Sequence, residues 1–245
     1  MSAYKKTPED GLNGFRGRGG REAYVGKARA APVRALLLDV DGTLLDTFPD
    51  ILASMNRALE ELGERPVTAE ELRPLIGVHV VRQMEILRSM PEDRAREVND
   101  RYYGHFRRIV EERAAVYPGV RDTLERLRGR PIATFTTRRR EVARTMLRTA
   151  GLETFFFAIV GGDEVVRQKP HPDLALHVAR ILNAPPSECV VVGDAPVDIE
   201  AGNAAGMRTV AALYGYGTTE AMAAARPTAT IQEFSELPLV LEAFV

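Results

Sequence analysis

Arg34-Ala-Leu-Leu-Leu-Asp-Val-Asp-Gly-Thr-Leu-Leu-Asp46 is the stretch from which the rest of the chain can be read. Ala35 to Leu38 is a short unbroken apolar run bounded by Pro32 and Gly42, the pattern of a strand covered on both faces in a parallel sheet. It runs into two carboxylates, Asp39 and Asp41, whose i, i+2 spacing points both to one side of an extended backbone. Gly42 lets the chain turn sharply and Thr43 adds a hydroxyl beside the pair. Two like charges this close repel unless a cation lies between them or one takes a proton. An Asp-Gly turn alone would be commonplace; Asp-Val-Asp-Gly-Thr after four buried apolar residues is not.

The run Asp39-Val-Asp-Gly-Thr-Leu-Leu-Asp46 resembles DxDGTxxD, the first motif of the haloacid dehalogenase superfamily in its phosphatase branch. The resemblance implies that Asp39 is a nucleophile and Asp41 a general acid and base, with Gly42 and Thr43 beside the phosphate. The dehalogenases lack the second Asp, so Asp41 argues against dehalogenation. Three further motifs should follow downstream at strand ends.

They do. Ile132-Ala-Thr-Phe-Thr136 reads as a strand ending in hydroxyls and is similar to the second motif, which implies that Thr136 hydrogen-bonds a phosphoryl oxygen, with Thr137 adjacent. Phosphatases of this kind usually continue Thr-Asn-Lys, and here the sequence is Thr136-Thr-Arg138. Phe156–Val160 reads as another buried strand, followed by Gln168-Lys-Pro-His-Pro-Asp173, which resembles the third motif and makes Lys169 the residue that steadies nucleophile and phosphate. Cys189-Val-Val-Val-Gly-Asp194 followed by Ala195-Pro-Val-Asp198 matches the fourth, Gly-Asp-x-x-x-Asp. It implies that Asp194 is a magnesium ligand and that Asp198 supports the site. The continuation through Met207 and Leu213-Tyr-Gly-Tyr-Gly217 is similar to phosphoglycolate-phosphatase-type sequences.

Charge explains why a metal is expected. Asp39, Asp41, Asp194 and Asp198 bring four negative charges to one pocket and Lys169 returns one, so a phosphate dianion would be repelled. One Mg²⁺ held by these four acids removes much of that repulsion. The reaction implied is attack by Asp39 on phosphorus, protonation of the leaving oxygen by Asp41, and hydrolysis of the aspartyl-phosphate. A pyrophosphatase or a sugar-phosphate mutase would share these motifs, and a non-catalytic nucleic-acid-binding module stands as the reading from another class.

Between the first two motifs the pattern turns helical. Phe48 to Gly63, a Thr68-Ala-Glu-Glu capping box, a segment with Val80, Val81, Met84 and Leu87, and a stretch from about Pro91 to Arg113 give four helices with no strand between them. The resemblance makes residues 48–114 a small helical cap, with residues 32–47 and 115–245 forming an α/β core: a Rossmann-like, doubly wound parallel sheet. His79 and Arg82, just after Gly77, are candidate substrate contacts on the cap.

Composition sets the outer limits. The 245 residues carry 45% hydrophobic and 27% charged residues at a net charge of −1, which is ordinary for a globular chain and argues against a nucleic-acid binder acting through overall charge. Residues 1–31 differ: they are rich in Gly and Arg, with seven Lys/Arg against three Asp/Glu, and are expected to form a flexible extension. The single cysteine, Cys189, fits a reducing compartment. With no apolar run of about 18 residues and no secretory segment at the start, the expectation is a cytoplasmic enzyme, monomer or homodimer, acting on a small phosphorylated metabolite and not at a membrane.

Overall fold

The computed structural model describes residues 31–244 together with two short antiparallel strands, β1 (Asn13–Arg16) and β2 (Glu22–Val25). The expected extension over residues 1–31 otherwise lies outside the described residues. The next strand, β3 (Ala35–Leu38), is buried at every position, as its unbroken apolar run requires.

From β3 the chain enters four helices: α1 (Phe48–Glu61), α2 (Ala69–Leu72), α3 (Val80–Arg88) and α4 (Glu92–Glu112). The Thr68 capping box forms as read, with Thr68 Oγ1 accepting from the Glu71 amide and the Glu71 carboxylate accepting from the Thr68 amide. Alternation of helix and strand then resumes with α5 (Val120–Arg126), β4 (Ile132–Thr134), α6 (Arg140–Thr149), α7 (Asp173–Ile181), β5 (Cys189–Gly193), α8 (Pro196–Ala204), β6 (Arg208–Ala212), α9 (Thr219–Ala224), β7 (Ala229–Ile231) and α10 (Leu237–Glu242).

The sheet order is β4-β3-β5-β6-β7, all parallel, so β3 lies inside the sheet between β4 and β5. Alternation along the strands sorts the core into two layers. Leu36, Leu38, Val190, Val192 and Val210 face one side with Val120, Leu124, Met146 and Leu237, from α5, α6 and α10. Ala35, Leu37, Cys189 and Val191 face the other with Leu174, Val178 and Ala201, from α7 and α8. The first layer continues without a break into Ile51, Met55, Met84, Val98 and Phe106, so the four inserted helices share apolar packing with the sheet layer.

One expected element is absent as read. Phe156–Val160 forms only a single parallel bridge, Ala133 to Ala158, and no named strand. The pairing starts as a ladder, with the Phe157 amide donating to the Ile132 carbonyl at 2.8 Å and the Thr134 amide to the Ala158 carbonyl at 3.2 Å. It stops at Val160, whose carbonyl accepts from the Thr134 hydroxyl at 2.8 Å and whose amide donates to it at 2.6 Å, so a side chain serves the backbone pair that the ladder would take next.

Candidate active site

The chain leaves β3 and β5 at neighbouring points of the sheet, and the side chains just beyond these two strand ends face one another across a crevice. In open parallel sheets such a crevice beyond the carboxyl ends is where ligands bind. Gly42 makes the turn after β3 in the left-handed region, at φ +81°, and an added Cβ there would collide with the Asp194 carboxylate and the Tyr216 ring. Glycine is therefore required twice over, by conformation and by space.

Lys169 ties the acids together. Its side chain is 2% exposed, and the ammonium lies 2.8 Å from Asp39 Oδ1 and 2.5 Å from Asp198 Oδ1. Burial works against that charge, but the two carboxylates outweigh it and keep the lysine protonated. Asp198 Oδ2 accepts the Ala195 amide at 2.9 Å. Asp194 Oδ1 accepts from the Thr43 hydroxyl and its Oδ2 from the Tyr216 amide, each at 2.8 Å. Asp39 Oδ2 takes no hydrogen bond from the described residues, which leaves it the free oxygen of the group.

Oxygens of Asp39, Asp194 and Asp198 lie within 4.8 Å of one another, and all three residues are buried. Their electrostatics show a shortage of positive charge. Burial, reinforced by Asp198, Asp194 and Asp41 and only partly countered by Lys169, raises the Asp39 carboxyl well above its usual range. Burial and then Asp198 push Asp194 up to about 7. Three hard carboxylate donors, drawn together and short of a counter-charge, are a donor set suited to a divalent cation that prefers oxygen.

Asp41, grouped with these acids on the sequence, is turned elsewhere. Arg138 donates from Nε to its Oδ2 and from Nη2 to its Oδ1, both at 3.0 Å, and Thr47 Oγ1 donates to Oδ1 at 2.6 Å. The structure therefore brings three of the four expected ligands together and holds the fourth on a guanidinium.

The remaining sequence candidates divide. Thr137 and His79 line the cleft, whereas Arg82 does not: it is exposed and paired with Glu85 at 2.5 Å. Thr136 is buried beneath the cleft, its hydroxyl accepting the Arg138 amide at 3.1 Å. Sequence reasoning assigned no role to Arg138, although Thr136-Thr-Arg138 had marked the place. It also passed over Tyr216, whose phenol oxygen accepts the Thr47 and Phe48 amides at 2.7 and 2.9 Å, and Arg73, which lies 4.1 Å over the Phe48 ring at the cleft wall.

The cleft has a volume of about 370 Å³. Asp39, Asp41, Thr137 and Asp194 come from the segments just beyond β3, β4 and β5, Lys169 from the connection before α7 and Asp198 from the first turn of α8; the inserted helices with their connections supply Ile51, Arg73, Pro74, Ile76 to Val80, Gln83, Tyr102 and Tyr103.

Residues 36–212 match the model of the haloacid dehalogenase-like hydrolase family. A phosphoglycolate phosphatase of Chromobacterium violaceum is 31% identical over 215 residues, covering 84% of this chain and 96% of its own. The phosphoglycolate phosphatase of Escherichia coli K12 is also 31% identical, with 84% and 91% covered. Among solved structures, a protein of Haemophilus somnus described as a predicted phosphoglycolate phosphatase superposes with a TM-score of 0.79 at 23% identity, covering 88% of this chain and 99% of its own. That last likeness concerns the fold. With the family model spanning β3 to β6 and relatives aligned over most of their length, the chain belongs to the haloacid dehalogenase-like hydrolases and is an enzyme of their phosphatase branch.

Proposed function

We infer that this chain is a Mg²⁺-dependent phosphatase of a small phosphorylated metabolite, with 2-phosphoglycolate the first ester to try. The observation that carries the reading is the buried Asp39, gripped through one oxygen by Lys169 and left with the other free beside Asp194 and Asp198. The two relatives named for phosphoglycolate hydrolysis supply the choice of ester.

In this reading Asp39, Asp194 and Asp198 hold the cation. When bound, it supplies charge neutralisation between carboxylates and phosphoryl oxygens and polarises the phosphoryl group. Asp39 attacks phosphorus as the P–O bond to the leaving group breaks, and Asp41 gives the departing oxygen its proton. Asp41 then takes a proton from water, whose oxygen attacks the aspartyl-phosphate and frees Asp39 and inorganic phosphate. Lys169 keeps the nucleophile oriented, while Gly42, Thr43, Thr136 and Thr137 shape the phosphoryl site. Residues 48–114 act as the cap and select the leaving group, with His79 at the cleft wall.

Phosphate release from a panel of esters, with and without Mg²⁺, tests this. The wild type should release phosphate only with the metal, and Asp39→Asn should release none. Turnover surviving in Asp39→Asn would refute the nucleophile.

A further inference from the structure

Asp41 does not stand free in the cleft. The Arg138 guanidinium grips both of its oxygens, and the same group's Nη1 donates to the Tyr102 phenol at 2.9 Å. Its central carbon also lies 4.0 Å over the centre of the Phe106 ring. Tyr102 and Phe106 belong to α4, one of the inserted helices, whereas Arg138 follows β4 in the sheet layer. The Arg138 backbone is pinned in turn by Thr136. Arg138, a residue only 8% exposed, thus joins through its guanidinium three separate parts of the chain: the turn after β3, the loop after β4, and helix α4.

A planar fork of this kind meets a carboxylate through two parallel bonds only in one narrow orientation. Tyr102 and Phe106 set that orientation from the α4 side, so displacing α4 would turn the fork and with it the carboxyl it holds. A lysine at this position would supply a point charge on a flexible stem and could not transmit the constraint. The geometry points to Arg138 as a positioning residue that makes the alignment of the Asp41 carboxyl depend on α4 being seated against the sheet layer. This rests on the reading of Asp41 as proton carrier; Arg138 also lines the cleft, and the role assigned to it is exercised through Asp41.

Two mutant cycles test this on enzyme that turns over its best ester with Mg²⁺. Arg138→Ala should lower kcat about 10²-fold, the scale on which a misplaced acid and base costs rate, and should leave KM nearly unchanged. Arg138→Lys should not rescue it. In an Asp41→Asn background, adding Arg138→Ala should cost nothing further, because a positioning residue has no effect once the group it positions is gone. Losses that multiply would overturn the inference, as would a loss carried mainly by KM, which would make Arg138 a substrate contact. The second cycle keeps Asp41 intact and uses a mild change, Tyr102→Phe. Its loss in kcat should appear in the wild type and vanish in Arg138→Ala; equal losses in both backgrounds would sever the link to α4. Neither cycle depends on the identity of the nucleophile, so failure here is distinct from turnover surviving in Asp39→Asn.

Discussion

At the scale of single residues, Asp194 gives the clearest consequence. Its carboxyl is raised from an ordinary value of 3.8 to about 7, first by burial and then by Asp198. The folded state therefore holds this proton more tightly than the unfolded chain does. Between those two values the native protein binds more protons than the unfolded one, so this group's contribution to stability falls as pH rises and levels off above pH 7. Without metal, Asp194→Asn removes that dependence. Thermal melts in chelator should show the variant gaining on the wild type as pH is raised through this window, and Mg²⁺ should stabilise the wild type far more than the variant. Parallel melting curves for the two proteins across the window would contradict the assignment. The clustering of Asp39, Lys169, Asp194 and Asp198 was legible in the sequence because each closes a short apolar run or sits within a compact motif. Arg138 was not assigned, because its carboxylate partner is 97 residues away and no local pattern connects them.

At the scale of elements, the entry into α1 shows how a helix end can be satisfied from afar. Thr47 precedes the helix, yet its side chain makes no cap; it donates instead to Asp41. The Thr47 and Phe48 amides go to the Tyr216 phenol oxygen, supplied by the loop after β6. Tyr216→Phe keeps the ring against Phe48 and deletes only this acceptor. It should cost roughly 1–2 kcal/mol in urea unfolding, the scale of a lost helix cap or an orphaned buried donor. Amide exchange at Thr47 and Phe48 should speed up before that of the β3 amides; unchanged exchange at both would show that another group serves these donors. The helices themselves were readable from periodicity and capping signals, whereas this cap was not, since Tyr-Gly-Tyr-Gly carries no mark of a partner 168 residues distant. The strand read at Phe156–Val160 falls short for a related reason: an apolar run carries no mark of where its ladder ends, and here two backbone bonds to β4 give way at Val160 to the Thr134 hydroxyl.

At the scale of the molecule, the site is a cleft between two layers that share one apolar core. The sheet side carries the acids and Lys169, while the inserted side brings apolar and cationic wall residues such as Ile51 and Arg73. Under the proposed function, chemistry and selection draw on different stretches of sequence, which is why the motifs point to the reaction class and leave the substrate open. Size narrows the choice. A cleft of about 370 Å³ lies near the lower end of small-molecule sites, and under the proposed function a leaving group would have to fit beneath Tyr102, Tyr103 and the segment around Ile76 to Val80 while its phosphoryl group reaches Asp39. Esters of two to six carbons should therefore outpace a phosphopeptide by at least about 10²-fold in kcat/KM, a difference of about 3 kcal/mol in transition-state binding. Shortening the wall with Tyr103→Ala should raise the rate for bulkier esters relative to the smallest one. Comparable kcat/KM for a phosphopeptide and a three-carbon ester would mean that the inserted helices swing clear of the sheet during turnover, and that this cleft does not set the limit on substrate size.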